Sequence, residues 1–169
     1  CDIAVVISNH NDLREEVDRF GLRFEHITST ANTRAEAEQQ ALDILGNEID
    51  VIVLARYMQI LSADFVARFK ERIINIHHSF LPAFAGADPY QQAYDKGVKL
   101  IGATAHYVTA DLDQGPIIEQ NLARVSHRHS RDDLRRIGRD VERQVLARAV
   151  VWHLDDRVIV DRNKTIVFR

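Results

Sequence analysis

Short apolar runs alternate with segments of helical periodicity along most of this chain, and that alternation constrains the fold more than any other feature. Runs such as Ile3-Ala4-Val5-Val6-Ile7 and Val51-Ile52-Val53-Leu54 have the length of strands, and the stretches between them carry apolar residues every three or four positions. Strands interleaved with helices are the pattern of βαβ units, so the expected fold is α/β, with an open, mostly parallel sheet flanked by helices.

Local signals place the elements. Residues 3–7 read as a strand, 13–20 as a helix stopped by Gly21, and 23–27 as a weaker strand. Thr33 and Glu36 have capping-box spacing at the start of a helix that runs to Leu45, with Gly46 as its C-terminal cap. The continuously apolar run within residues 49–55 predicts a central strand covered on both faces. Ser62 is placed to cap a short helix through Phe65 and Phe69, residues 73–76 read as the next strand, and Pro89 suits the first turn of a helix ending near Gly97. Residues 99–108 and 117–125 are two further strands. From residue 130 to 153, Leu134, Ile137, Val141, Val145, Ala149 and Trp152 recur at helical spacing, which predicts one amphipathic helix of roughly 35 Å at about 1.5 Å per residue. Residues 158–160 and 165–168, joined by Asp161-Arg162-Asn163-Lys164, close the chain as a hairpin.

The chemistry concentrates in Asn75-Ile76-His77-His78-Ser79-Phe80-Leu81-Pro82 and in Asp111-Leu112-Asp113-Gln114-Gly115-Pro116. On a strand, side chains two positions apart share a face, so Asn75 and His77 point the same way. His78, adjacent to His77, would point to the other side if the strand continued. In open α/β sheets ligands gather beyond the strand C-termini, which draws the ends after Ala55, Ile76 and Val108 toward one cleft. An amide N–H can stabilise an oxyanion, an imidazole can exchange a proton near neutral pH, and a carboxylate can orient the imidazole or a water. Together they suit acyl transfer or hydrolysis. Each alone has an ordinary structural explanation: a His after a strand often bonds backbone, and Asp before Gly-Pro is common turn chemistry. Ser79 sits in a Phe-Leu-Pro turn context, so attack by water or an external amine is favoured over an acyl-enzyme.

Composition bounds the alternatives. With 169 residues, 46% of them hydrophobic and 28% charged, the chain has the length and content of one folded domain. A net charge of -3 argues against a nucleic-acid groove, and the arginines between residues 124 and 148 are interleaved with acids, as on a solvated helix face. The single cysteine, Cys1, excludes an intramolecular disulfide and a Cys-based cluster, and fits a reducing cytoplasm. The leading apolar run is too short for a membrane span. Eight histidines raise the question of a metal, but the adjacent His77 and His78 would point to opposite sides if extended, and His127-Arg128-His129 has no evident carboxylate third ligand, so no metal site is expected.

The segments Val6-Ile7-Ser8-Asn9-His10, Leu54-Ala55-Arg56-Tyr57-Met58-Gln59-Ile60-Leu61-Ser62, Gly102-Ala103-Thr104-Ala105-His106-Tyr107-Val108-Thr109 and Gly115-Pro116-Ile117-Ile118-Glu119-Gln120, with Asn75, His77 and Asp113, resemble the folate-dependent formyltransferase superfamily in kind and order. The resemblance implies a Rossmann-like formyltransferase sheet with a C-terminal long helix and hairpin, and it is nearest to the branch that hydrolyses 10-formyltetrahydrofolate to formate and tetrahydrofolate. It implies that Asn75 and His77 polarise the formyl group and that Asp113 orients His77 or the attacking water. It further implies that His106 supports the carboxylate loop, that Arg56, Tyr57, Met58, Gln59, Ile60 and Leu61 line a pterin pocket, and that Val108 and Asp111 supply the other wall, partly through backbone groups. Apolar residues after a strand, such as Met58, Ile60 and Leu61, are also common core residues.

Within the superfamily, the glycinamide-ribonucleotide branch has a Gly-rich turn that cradles a phosphate, and a His-Pro-Ser-Leu segment where this chain has His77-His78-Ser79-Phe80. Water is therefore the expected acceptor. Formyl transfer to an amine, or a catalytically silent folate-binding fragment, are the alternatives. The family pattern begins with a strand and helix before the point matching Ile3 and usually carries an ACT-type regulatory domain ahead of them. Residues 1–169 are accordingly expected to be an N-terminally truncated formyltransferase-like catalytic domain with exposed strand edges. Gln114 stands where the pattern has an acid, and Asp88 where it has Asn or Lys. The expected partner is the folate substrate, with no resident cofactor, no nucleic acid and no membrane; the apolar hairpin and long helix suggest a homo-oligomer.

Overall fold

A computed structural model of the chain describes residues 1–30, 32–81 and 89–169, so Pro82 and Asp88 lie outside the described residues. Two compact units emerge: Cys1–Asp50 with Leu61–Arg68, and Val51–Ile60 with Phe69–Arg169.

In the first unit, β1 (Val6–Ser8) pairs in parallel with β2 (Phe24–His26), and α1 (Arg14–Arg19) connects them. The guanidinium of Arg14 lies 4.6 Å over the Phe24 ring, a cation–π contact that ties the crossover helix to its strand. Helix α2 (Arg34–Leu45) ends at Gly46, whose φ of 62° suits a residue without a side chain. Its start departs from the sequence expectation: Thr33 makes no side-chain cap. With φ -110° and ψ 12° the residue is not extended, and its hydroxyl turns back to the Thr30 backbone N–H at 3.0 Å. Ser62 does cap α3 (Ala63–Arg68), accepting from the Phe65 backbone N–H at 3.2 Å.

The second unit holds a four-stranded sheet in the order β3 (Ile52–Leu54), β4 (Ile73–His77), β5 (Leu100–Tyr107), β6 (Ile117–Arg124). The α/β architecture stands, with mixed pairing inside this sheet: β3 and β4 are parallel, whereas β4–β5 and β5–β6 are antiparallel. The link between β5 and β6 is too short for a parallel crossover, so reversal is its only geometry. Strand β3, expected to be covered on both faces, stands at one end of this order with Val53 40% exposed.

Helix α4 (Pro89–Asp95) and the 24-residue α5 (Arg131–Leu154) follow β4 and β6, and the hairpin β7 (Val158–Asp161) with β8 (Lys164–Val167) closes the chain. Ser130 and Asp133 form a reciprocal capping box at the start of α5, and the Ser130 backbone N–H holds the Asp133 carboxyl below the usual carboxylate range. One face of α5, through Val141, Val145, Ala149 and Trp152, packs on Ile74 and Ile76 of β4, Ala103, Ala105 and Tyr107 of β5, and Ile118 of β6. Each large side chain buried there contributes about 1.5–3 kcal/mol relative to exposure.

That packing decides where polar groups go. Because Ile74, Ile76, Ala103, Ala105 and Tyr107 all face α5, the intervening Asn75, His77, Thr104 and His106 share the opposite face of the sheet. Near the helix start, Gly138 lets α4 close in: a Cβ there would lie 2.1 Å from the Tyr90 hydroxyl.

Candidate active site

The antiparallel register sets Asn75 opposite His106 and His77 opposite Thr104. The side chains of Asn75, His77 and His106 therefore stand side by side on two adjacent strands. A register shift at Ala105/His106 lets Glu119 pair with Ala105 and Ile117 with His106, a bulge of the kind that re-aims side chains beside a site.

Asp113 reaches this group from the loop between β5 and β6. Its φ of 54° is left-handed, a conformation that Asp adopts more readily than most residues. The loop is pinned by the Tyr107 backbone N–H donating to the Pro116 carbonyl at 2.9 Å and by the Thr109 hydroxyl donating to the Asp111 carbonyl at 3.1 Å. It passes so close to β5 that a Cβ on Gly115 would fall 1.7 Å from the Tyr107 carbonyl oxygen. Glycine is the residue that permits this approach.

So held, the Asp113 carboxylate spans two imidazoles: Oδ2 is 3.4 Å from His77 Nδ1, and Oδ1 is 3.6 Å from His106 Nε2. His106 is buried, and its Nδ1 lies 2.9 Å from the Tyr107 carbonyl, which can only accept; Nδ1 therefore carries the hydrogen. In the neutral ring Nε2 is then an acceptor, and it receives the Asn75 Nδ2–H at 3.3 Å. One of the two amide hydrogens of Asn75 is engaged in this way, and the other is left to address an oxygen.

Past β4 the chain is anchored by Thr104, which is fully buried. Its hydroxyl donates to the Ser79 carbonyl at 2.9 Å and accepts from the Leu81 backbone N–H at 3.1 Å and the Gln120 side chain at 2.9 Å. This hub fixes the segment that follows His77. The rings of His77 and His78 are stacked, 5.1 Å apart and 13° from parallel, rather than on opposite sides as strand alternation implied. The reason is that β4 ends at His77.

The expected pocket residues are distributed less evenly. Arg56, with φ 55°, leaves the end of β3 directly after Leu54 and Ala55, and Leu54 is in register with Asn75. Met58 and Ile60 are 72% and 51% exposed, while Tyr57 and Gln59 are half-buried. Leu61 belongs to the first unit, at the lead into α3. The grouping of strand ends holds for β3 and β4 but not for Val108, whose backbone N–H donates to the Ile73 carbonyl at 2.9 Å, at the opposite end of β4 from His77. Antiparallel pairing of β5 causes this. The Asp111 carbonyl is taken up within its own loop by Thr109, and Gln114 is exposed.

Among the described residues no group of three or more His, Cys, Asp or Glu side chains is arranged to hold a metal ion. His129 instead accepts from the Ser126 backbone N–H at 3.0 Å as a turn residue. No helix among the described residues is long and apolar enough to cross a membrane. Thr104 and Gly115 are structural supports that the motif reading passed over; a lone Thr inside an apolar strand was the available signal for the first.

Fold and site together define an α/β protein with an amide, two imidazoles and a carboxylate converging on one face of a mixed sheet, an arrangement suited to acyl-group chemistry. The family described as "Formyl transferase" matches residues 1–150, and the chain belongs to it. It is 62% identical over 169 residues to the formyltetrahydrofolate deformylase of Bacillus subtilis (strain 168), covering 99% of this chain and 56% of that protein. A crystal structure of a formyltetrahydrofolate deformylase from Pseudomonas syringae superposes with a TM-score of 0.95 at 53% identity, over 100% of this chain and 57% of that one. Glycinamide ribonucleotide transformylase 1 from Symbiobacterium toebii superposes with a TM-score of 0.90 at 32% identity, over 99% of this chain and 81% of that one. The chain thus spans a little over half the length of the deformylase relatives it matches.

Proposed function

We propose that this chain carries the catalytic site for hydrolysis of 10-formyltetrahydrofolate to formate and tetrahydrofolate. The observation that carries the reading is the convergence of Asn75, His77 and Asp113, with 3.4 Å between the His77 imidazole and the carboxylate. It is supported by the 62% identity to a protein named for that reaction.

In this mechanism a water oxygen bonds to the formyl carbon and passes a proton to the His77–Asp113 pair. The negative charge that develops on the formyl oxygen is met by the Asn75 N–H and by His77. As the tetrahedral intermediate collapses, the carbon–nitrogen bond breaks, the folate nitrogen takes the proton, and formate leaves. His106 accepts from Asn75 through Nε2 and so orients the amide, with the Asp113 carboxylate 3.6 Å beyond. Arg56, Tyr57, Met58, Gln59, Ile60 and Leu61 with Val108 and Asp111 are the proposed contacts for the folate body. The folate is substrate, and no resident cofactor or metal enters the scheme. A cytoplasmic setting and a homo-oligomer complete the reading, the latter supported by the exposed Ile159, Ile166 and Phe168 at the hairpin.

The test is formate release from 10-formyltetrahydrofolate by this chain and by a chain of the relatives' full length. Asn75→Ala, His77→Ala and Asp113→Ala are each expected to lower kcat by about 100-fold or more while the fold persists. Unchanged rates in all three variants would remove the assignment. Tetrahydrofolate formation that requires an added amine and yields no formate would transfer the reading to formyl transfer.

A further inference from the structure

His77 has a carboxylate at its edge, and an edge contact restrains a ring least against tilting about the Nδ1···Oδ2 line. A ring stacked on the face opposes that tilt, and on a face of His77 lies His78, 5.1 Å away and 13° from parallel. His78 in turn meets the Tyr90 ring of α4, centroid to centroid 6.5 Å at a tilt of 42°, within the range in which aromatic rings attract. Tyr90 is itself fixed from α5. Its hydroxyl donates to Glu142 Oε1 at 2.5 Å, and the missing side chain of Gly138 makes the space its ring occupies. A continuous set of contacts therefore runs from the middle of the longest helix, through Tyr90 and His78, to the imidazole beside Asp113.

We propose that His78 and Tyr90 are positioning residues for His77, a stack of rings that transmits the rigidity of α5 to the plane of the reacting imidazole. The inference rests on the hydrolytic reading above for its kinetic consequences, although the geometry stands apart from it. What the stack requires of position 78 is a flat ring, not an ionisable one. A proton carrier at this position would require the opposite.

This difference sets the experiment. His78→Phe keeps a flat face against His77 and removes both nitrogens; His78→Ala removes the face. With 10-formyltetrahydrofolate as substrate, His78→Phe is expected to keep kcat within about threefold, whereas His78→Ala lowers it about tenfold with little change in KM, the pattern of a misaligned reacting group. Tyr90→Leu, which removes the supporting ring, is expected to lower kcat in the same direction and by less. Carbon-13 relaxation of the His77 ring, recorded on histidine-labelled protein, should show increased ring motion in His78→Ala and parent-like motion in His78→Phe. The proposal is overturned if His78→Phe is as inactive as His78→Ala, or if His77 ring motion is the same in all variants. If the parent chain releases no formate, the hydrolytic reading falls, and the relaxation measurement still decides whether the stack holds the ring.

Discussion

Replacing Gly115 with alanine should disable the site by moving Asp113 without touching it. The added Cβ would lie 1.7 Å from the Tyr107 carbonyl oxygen and 2.8 Å from its carbon, where ordinary contact begins at about 3.4 Å. Tyr107 cannot yield: it is buried in β5, its N–H is bonded to Pro116 and its carbonyl accepts from His106. The loop must therefore retreat by roughly 1.5–2 Å, and Asp113, two residues from the substitution, retreats with it. From starting separations of 3.4 and 3.6 Å, that displacement takes the carboxylate out of reach of both His77 and His106. The Tyr107–Pro116 hydrogen bond is lost as well, so the expected destabilisation is about 2–4 kcal/mol, readable as a lower urea midpoint. Under conditions where the variant remains folded, formate release should fall about 100-fold. A variant that is as stable as the parent and hydrolyses 10-formyltetrahydrofolate at a similar rate would refute the idea that close approach of this loop sets Asp113.

Two further outcomes follow from buried polar groups. Thr104→Val keeps the shape of the side chain but strips Ser79, Leu81 and Gln120 of their shared partner, at an expected cost of about 2–4 kcal/mol in urea unfolding and with a lower kcat, because the segment after His77 loses its anchor. Burial pushes the Tyr107 hydroxyl up to about 12, with the nearby Glu71 charge adding to the effect, and burial together with the Glu142 bond raises Tyr90 as well. Both groups are neutral in the folded and unfolded chains below about pH 10, and above it the unfolded chain ionises first. Stability should thus be flat with respect to these groups up to about pH 10 and decline through about pH 12, with Tyr107→Phe flattening part of the decline in a urea series across that range.

Much of the fold is legible along the chain because burial imposes periodicity. The stripe from Leu134 to Trp152 predicts α5 to within a residue or two, and the alternation through Ile74, Asn75, Ile76 and His77 predicts which side chains share a face. Strand direction is another matter. An apolar run such as that in β5 reads the same whether it pairs in parallel or antiparallel; the short link to β6 betrays the β5–β6 reversal, but the long connection from β4 does not betray the antiparallel β4–β5 pairing that carries Val108 away from His77. Capping shows a similar limit: Thr33 and Glu36 have the right spacing but not the backbone angles, while Ser130 and Asp133 have both. The proposed site residues Asn75, His77 and Asp113 can be picked out by type and spacing. Their supports cannot, since the contact of Gly115 with Tyr107 and the hub at Thr104 join segments that only the folded chain brings together.

In the proposed mechanism water, activated beside Asn75, His77 and Asp113, attacks the formyl carbon. Hydrolysis of 10-formyltetrahydrofolate in oxygen-18 water tests it most directly, with the released formate analysed by mass spectrometry. One solvent-derived oxygen should appear in each formate, formed without any added amine and about 100-fold or more slowly in Asp113→Ala. Formate lacking the label, or tetrahydrofolate formed only when an amine acceptor is supplied, would contradict the mechanism.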